Sequence, residues 1–204
     1  MTKFCTSISR LASIPPTDLS PQLLADNEHT EDHRALLPKR SHIASIVLYY
    51  PLFADLGPFP AISEANGDHI AISALHMQPL SRHTVTLRCK DPRDHPVWDQ
   101  KFFSTHTDRF IMLAAVRNNT RLASTAPLAD ELDGEIAPTG FEKTDEEIYE
   151  RIRAFVMTVA HPKDTCALGT VLDDEFRVKR VEGLRAGLGS MSLLKTSGEE
   201  MAVA

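Results

Sequence analysis

The sequence predicts an α+β fold, an antiparallel sheet flanked by helices, and three observations carry that prediction. β-Branched and aromatic runs cluster between residues 45 and 90. Two capped, amphipathic helical stretches follow, over 107–124 and 144–160. The last of the strand-like runs alternates apolar and polar residues, as a sheet with one wet face does.

Length and composition bound the rest. The 204 residues suffice for one domain with a real core, or at most one and a half. Apolar residues at 42% and charged residues at 25% place the chain among ordinary globular proteins. A formal charge of −6 disfavours nucleic acid and anionic membrane surfaces as partners. No apolar run approaches the roughly 20 residues that span a bilayer. The N-terminus, MTKFCTSISRLASIPPTDLS, lacks the apolar core of a secretory signal, so none is expected. Cys5, Cys89 and Cys166 are odd in number and have neither metal nor redox spacing, which fits reduced thiols and a cytoplasmic location.

Residues 1–43 read as an N-terminal segment without a firm element, and 44–204 as the domain proper. Pro15, Pro16, Pro21 and Pro38 interrupt any long helix, although Leu23–Leu37 can form a short one. His29, Glu31 and His33 share one or two turns there and could hold a metal, but a solvated polar face explains them as well, and no metal site is expected.

Ser45–Tyr50 reads as a buried strand stopped by Pro51, and His69–Met77 as a second. In His83–Cys89, Val85, Leu87 and Cys89 should face the core, with Thr84, Thr86 and Arg88 facing water or ligand. Thr107 is positioned to cap the first helix, whose interior runs from Phe110 to Leu122. Thr144-Asp145-Glu146-Glu147 is a capping box, and Ile148, Ile152, Phe155, Val156 and Val159 form one apolar stripe behind it. That helix should run to Ala160 and leave His161 at its C-terminal end, where the dipole favours an imidazolium. The Gly/Pro-containing stretch 126–142 reads as an exposed loop. A turn at Asp173-Asp174 leads into a short β-type segment, Phe176–Val181.

Several of these stretches resemble one family. His161-Pro162, Thr165-Cys166, Gly169, Asp173, Arg177-Val178, Val181 and Gly183-Leu184-Arg185 are similar to the C-terminal signature of the glucose–methanol–choline (GMC) oxidoreductases, flavoenzymes that oxidise alcohols. Asp164 stands where that pattern has glycine, and Leu168 where it has methionine. Upstream, Pro79–Leu87 resembles the family's P-x-S-R-G-x-V-x-L with His83 in place of the glycine. Asp91–Asp99, then Lys101–Ser104 and Asp108, continue the likeness. The resemblance implies the family's substrate-binding part, a large antiparallel sheet flanked by helices, and covers roughly residues 45–185.

The same resemblance implies a role for His161, the histidine of the H-P element, which takes the hydroxyl proton as hydride leaves for the flavin. The glycine-rich G-x-G-x-x-G that seats FAD in the family is absent from these 204 residues. FAD is therefore expected only where a flavin-bearing domain is supplied in trans, and no cofactor is expected on the isolated chain. After Gly183-Leu184-Arg185 the likeness fades: Leu188 replaces an aspartate, Leu193 a proline, and Glu199 the histidine or asparagine that supplies a second catalytic side chain.

Three functions follow from these readings. The chain is a GMC remnant or subunit working with a flavin-bearing chain; or a flavin-independent acid/base enzyme (isomerase, cyclase or dehydratase of small-molecule biosynthesis) using His161; or a non-catalytic ligand- or partner-binding protein. His161 is the candidate general acid/base, a task suited to near-neutral imidazole, and Glu199 a second candidate beside it. The bland reading of His161 is an inherited side chain that only packs. Arg82, His83, Trp98 and Cys166 are candidate substrate contacts, although surface pairing or packing is the commoner role of such side chains. The substrate is expected to be a small alcohol or a polyketide- or terpenoid-like molecule, and self-association or a flavin-bearing partner is expected to cover apolar surface.

Overall fold

The structure, a computed structural model, describes residues 8–26, 41–49, 69–135, 144–157 and 166–186. The chain divides into two compact units, 1–156 and 157–204. In the first, Ile8–Ala12 (β1), Ile43–Leu48 (β2) and Ala71–His76 (β3) form an antiparallel sheet in the order β1-β2-β3. Its helices are Pro16–Ala25 (α1), His106–Ala123 (α2) and Asp145–Phe155 (α3), and Thr84–Thr86 (β4) pairs with Val97–Asp99 (β5) in a separate two-stranded sheet. The class is α+β, as the sequence indicates.

β2 is central because its residues bury on both faces: Ile43, Ala44, Ser45 and Val47 are all enclosed. Sequence places this strand two residues late, at 45–50; the isoleucine that opens it pairs with Ala12 and His76. β1 is not foreseen at all, since ISRLA is too short and mixed to announce a strand before its partner is known.

α1 lies earlier in the chain than the short helix that the sequence allows over Leu23–Leu37, of which residues 27–37 lie outside the described residues. It begins at Pro16, where a missing N–H costs nothing, and carries a second proline, the exposed Pro21, inside it. Leu19 and Leu23, four apart, are completely buried and meet Ile14, Ile43, Ile111 and Ala115 in the main core. His29, Glu31 and His33 lie outside the described residues.

The cap of α2 is Thr105, not Thr107: the Thr105 hydroxyl accepts from Asp108 N at 3.1 Å. Thr107 lies within the first turn and is buried, opening a stripe at four-residue spacing with Ile111, Ala115, Asn119 and Ala123 that faces the sheet. Two of its five members are polar, so apolar periodicity alone misses where the stripe starts.

The capping box of α3 forms as expected, with Glu147 N donating to Thr144 Oγ1 and Thr144 N to Glu147 Oε2. Ile148 and Ile152 bury against Phe103, with Met112, Leu113 and Val116 of α2 alongside. The helix ends at Phe155, with Val156 extended (ψ 132°), so it stops short of the expected end at Ala160, and His161 lies outside the described residues.

The expected half-buried strand 83–89 is also corrected. Only Thr84–Thr86 is strand, and Val85, Leu87 and Cys89 are exposed, at 55% and 80% for the first two. Its sole described partner is three-residue β5, and a two-stranded ribbon has no second layer against which to bury a face.

Candidate functional site

The loop entering β4 carries two of the candidate residues, and Asp108 holds it. The Asp108 carboxylate, buried in the first turn of α2, accepts from Leu80 N at 2.9 Å, from Ser81 N at 2.7 Å and from the Ser81 hydroxyl. Ser104 N donates in turn to Ser81 Oγ at 3.0 Å. Backbone amides that lack a strand partner are thus satisfied by one carboxylate, at a helix N-terminus whose partial positive charge suits an anion.

Arg82 turns its guanidinium back on this loop, donating to the carbonyls of Pro79 at 2.8 Å and Leu80 at 3.1 Å. That geometry braces the turn. His83 follows, half-buried, at the entry to β4. Trp98 stands on β5 directly across from Val85, so the two side chains share a face, and Trp98 is 60% exposed. Arg82, His83 and Trp98 therefore belong to one loop-and-ribbon module.

A second polar centre lies beneath the loop, where His76 of β3 is almost wholly buried. Its Nδ1 is 3.8 Å from Asp108 Oδ1, and its Nε2 has no hydrogen-bond partner among the described residues. Burial pushes the His76 imidazole down to about 4; Asp108 opposes that shift and nearby His42 adds to it. His42, itself buried, accepts from Ile14 N through Nδ1 at 2.8 Å.

Cys166 begins the described part of the C-terminal unit, half-buried with a free thiol. Beyond it the chain knots around Leu172, which is fully buried. Asp173 Oδ1 accepts from Arg177 N at 2.9 Å and Glu175 N at 3.0 Å, while Arg177 Nε reaches Oδ2 at 2.8 Å. The amide and guanidinium of Arg177 hold the Asp173 carboxyl below its ordinary range. The β-type segment expected at 176–181 is a pair of isolated bridges, Leu172 with Val178 and Arg177 with Arg185. Gly169 and Gly183 have φ of +82° and +73°, a left-handed conformation that favours glycine at both places. His161 and Glu199 lie outside the described residues.

Residues 79–202 match the C-terminal region of the family described as GMC oxidoreductase. The chain belongs to the GMC oxidoreductase family. Choline oxidase of Arthrobacter globiformis is 35% identical over 134 residues, covering 62% of this chain and 24% of that protein. The GMC-type oxidoreductase acuG of Aspergillus aculeatus is 30% identical over 176 residues, 84% of this chain and 33% of its own length. An oxygen-dependent choline dehydrogenase of Pectobacterium carotovorum is 39% identical over 114 residues, 53% of this chain and 20% of that protein. The chain thus spans from a fifth to a third of the curated GMC relatives it matches.

GMC membership implies FAD, and the described residues do not form the cradle its pyrophosphate needs. The three helices start after Pro15, Thr105 and Thr144, and Gly134, Gly169 and Gly183 all lie in loops away from a helix start. Among the described residues there is likewise no group of three or more His, Cys, Asp or Glu that could hold a metal, and no helix long and apolar enough to cross a membrane.

Asp108 falls within the family likeness, but the sequence assigns it no role. The spacing Thr105-x-x-Asp108 signals a helix start, but nothing local says that the carboxylate spends its lone pairs on a loop 27 residues upstream.

Proposed function

We infer that this chain supplies the substrate-binding part of a GMC alcohol oxidoreductase and works with a flavin-bearing polypeptide. The observation that carries the reading is the family match over 79–202, which spans both the Pro79–Leu87 element and His161. Alcohol oxidation releases a hydride, and no ordinary side chain accepts one. The contribution of this chain is then to seat a small alcohol and to accept its hydroxyl proton on His161, as a general base of near-neutral pKa does. The Asp108-held loop would keep Arg82 and His83 at fixed positions, with Trp98 and Cys166 as further substrate contacts. Residues 44–204 constitute the GMC C-terminal-like domain in this reading.

Glu199, in the place of the family's second catalytic histidine or asparagine, favours one alternative. A carboxylate accepts but does not donate when ionised. Paired with His161 it suits proton shuffling without redox, as in an isomerase, cyclase or dehydratase. The experiment separates the two. The chain is mixed with a flavin-loaded GMC relative shortened to its N-terminal part, and flavin bleaching by a primary alcohol is followed. Bleaching that needs both polypeptides and drops at least a hundredfold in His161→Ala supports the first reading. An isolated chain that takes up FAD and bleaches unaided overturns it. Redox-inactive mixtures in which the chain alone converts a ligand, dependent on His161 and Glu199, favour the alternative.

A further inference from the structure

We propose that the open cleft between the Lys101–Ser104 turn and α3 binds an organic carboxylate with an aromatic or branched apolar body. The cleft, about 410 Å³, is lined by Phe102, Ser104, Arg109, Tyr149, Arg153 and Val156. It lies within the 1–156 unit and does not depend on the reading of His161.

Charge gives the first argument. The lining holds two guanidinium groups and no carboxylate, in a chain that carries six excess negative charges overall. Arg109 Nε donates to Phe103 O at 2.8 Å, which orients the guanidinium and leaves both terminal nitrogens without a hydrogen-bond partner among the described residues. Arg153 is 62% exposed and forms only a long ion pair, 3.8 Å, with the equally exposed Glu150 one turn earlier, which an exposed ligand carboxylate can displace. Planar guanidinium forks match a carboxylate's two oxygens.

The walls give the second. Phe102 is an exposed aromatic ring, 6.3 Å from the centroid of Phe103. Phe103 meets Tyr149 edge-on at 6.2 Å, and Arg109 lies 5.9 Å from the Tyr149 centroid, within cation–π range. Aromatic surface beside an oriented cation suits a ligand with an apolar body and an anionic end.

The backbone supplies the third. Lys101 and Phe103 have φ of +45° and +56°, left-handed values that bulky side chains avoid. Such strain persists only where neighbours over-determine it, and it concentrates at ligand clamps. Here three contacts do so: Arg109 grips Phe103 O, Ser104 N is tied to Ser81, and the Phe103 ring is buried.

The test titrates the 204-residue chain with benzoate, following the Nε–H resonances of Arg109 and Arg153 by NMR. Saturable shifts in both are expected, with none from uncharged benzamide, and Arg153→Gln should weaken binding about tenfold. Tyr149→Ala should weaken it while Tyr149→Phe does not. Arg153 is exposed and outside the core, so R153Q keeps the test decisive even if R109Q disturbs the turn. Absence of saturable shifts, or benzoate binding unaltered in R153Q, overturns the proposal. Inorganic phosphate binding as tightly as benzoate overturns its apolar half.

Discussion

Asp26 caps a helix that begins 80 residues further along: both the amide (2.8 Å) and the hydroxyl (2.7 Å) of Thr107 donate to Asp26 Oδ2, and His106 N donates to Oδ1 at 2.6 Å. The end of α1 thereby satisfies two of the orphan amides at the start of α2. Asp26→Ala should cost about 1–2 kcal/mol, read as a lower urea midpoint, and Asp26→Asn about half that. Partial burial raises the Asp26 carboxyl, but the Thr107 and His106 donors outweigh it and hold the group below its ordinary 3.8. A carboxyl depressed in the fold stabilises above 3.8 and loses that contribution as pH falls through the lower folded value. The D26A penalty should therefore shrink in strong acid toward the part that a neutral carboxyl still supplies as an acceptor.

His76 acts in a different pH window. Its imidazole is neutral in the fold down to about 4 but protonates near 6.5 once exposed, so the unfolded chain binds the extra proton between those values. Stability should fall as pH drops from 6.5 toward 4, by up to about 3 kcal/mol. His76→Met should flatten that slope while leaving the Asp26 effect untouched. A urea midpoint equally pH-dependent in parent and variant would contradict the assignment.

Removing Asp108 leaves three donors of the 80–81 loop without their acceptor. Asp108→Ala should cost about 2–4 kcal/mol, because buried polar groups left unpaired pay full desolvation. Asp108→Asn, which retains one carbonyl acceptor, should cost less. Hydrogen exchange at Leu80 and Ser81 should accelerate in both, ahead of any change in the β2–β3 pairing.

Asn119 joins α2 to two strands. Ser45 Oγ donates to Asn119 Oδ1 at 2.5 Å, and Asn119 Nδ2 donates to Ile72 O at 3.3 Å. Asn119→Ala strands a buried serine hydroxyl and should destabilise by about 1–3 kcal/mol. Combining it with Ser45→Ala should cost clearly less than the sum of the singles, since the pair shares one bond.

Local chemistry made part of this legible. The capping box at Thr144, the Ile148–Ile152 stripe and the β-branched core of β2 announce themselves because neighbouring residues create them. The GMC likeness was legible for a similar reason, since glycines such as Gly169 and Gly183 mark backbone conformations that few other residues adopt. Arg82 and Trp98 could be named as candidates, yet their surroundings could not, because an arginine bracing its own loop and one facing a ligand look alike in sequence.

The sequence by itself determined the class of fold, the helix starts that carry their own caps to within two residues, and the family. Only the tertiary structure decided that β1 joins the sheet, that α3 stops before His161, that β4 lies exposed, and that Asp26, Asp108 and Asn119 serve distant backbone. The physical reason is one of range. A cap or an apolar stripe is satisfied within a turn or two of its own residue, whereas a buried carboxylate or amide takes its meaning from whichever donors folding brings to it from elsewhere in the chain.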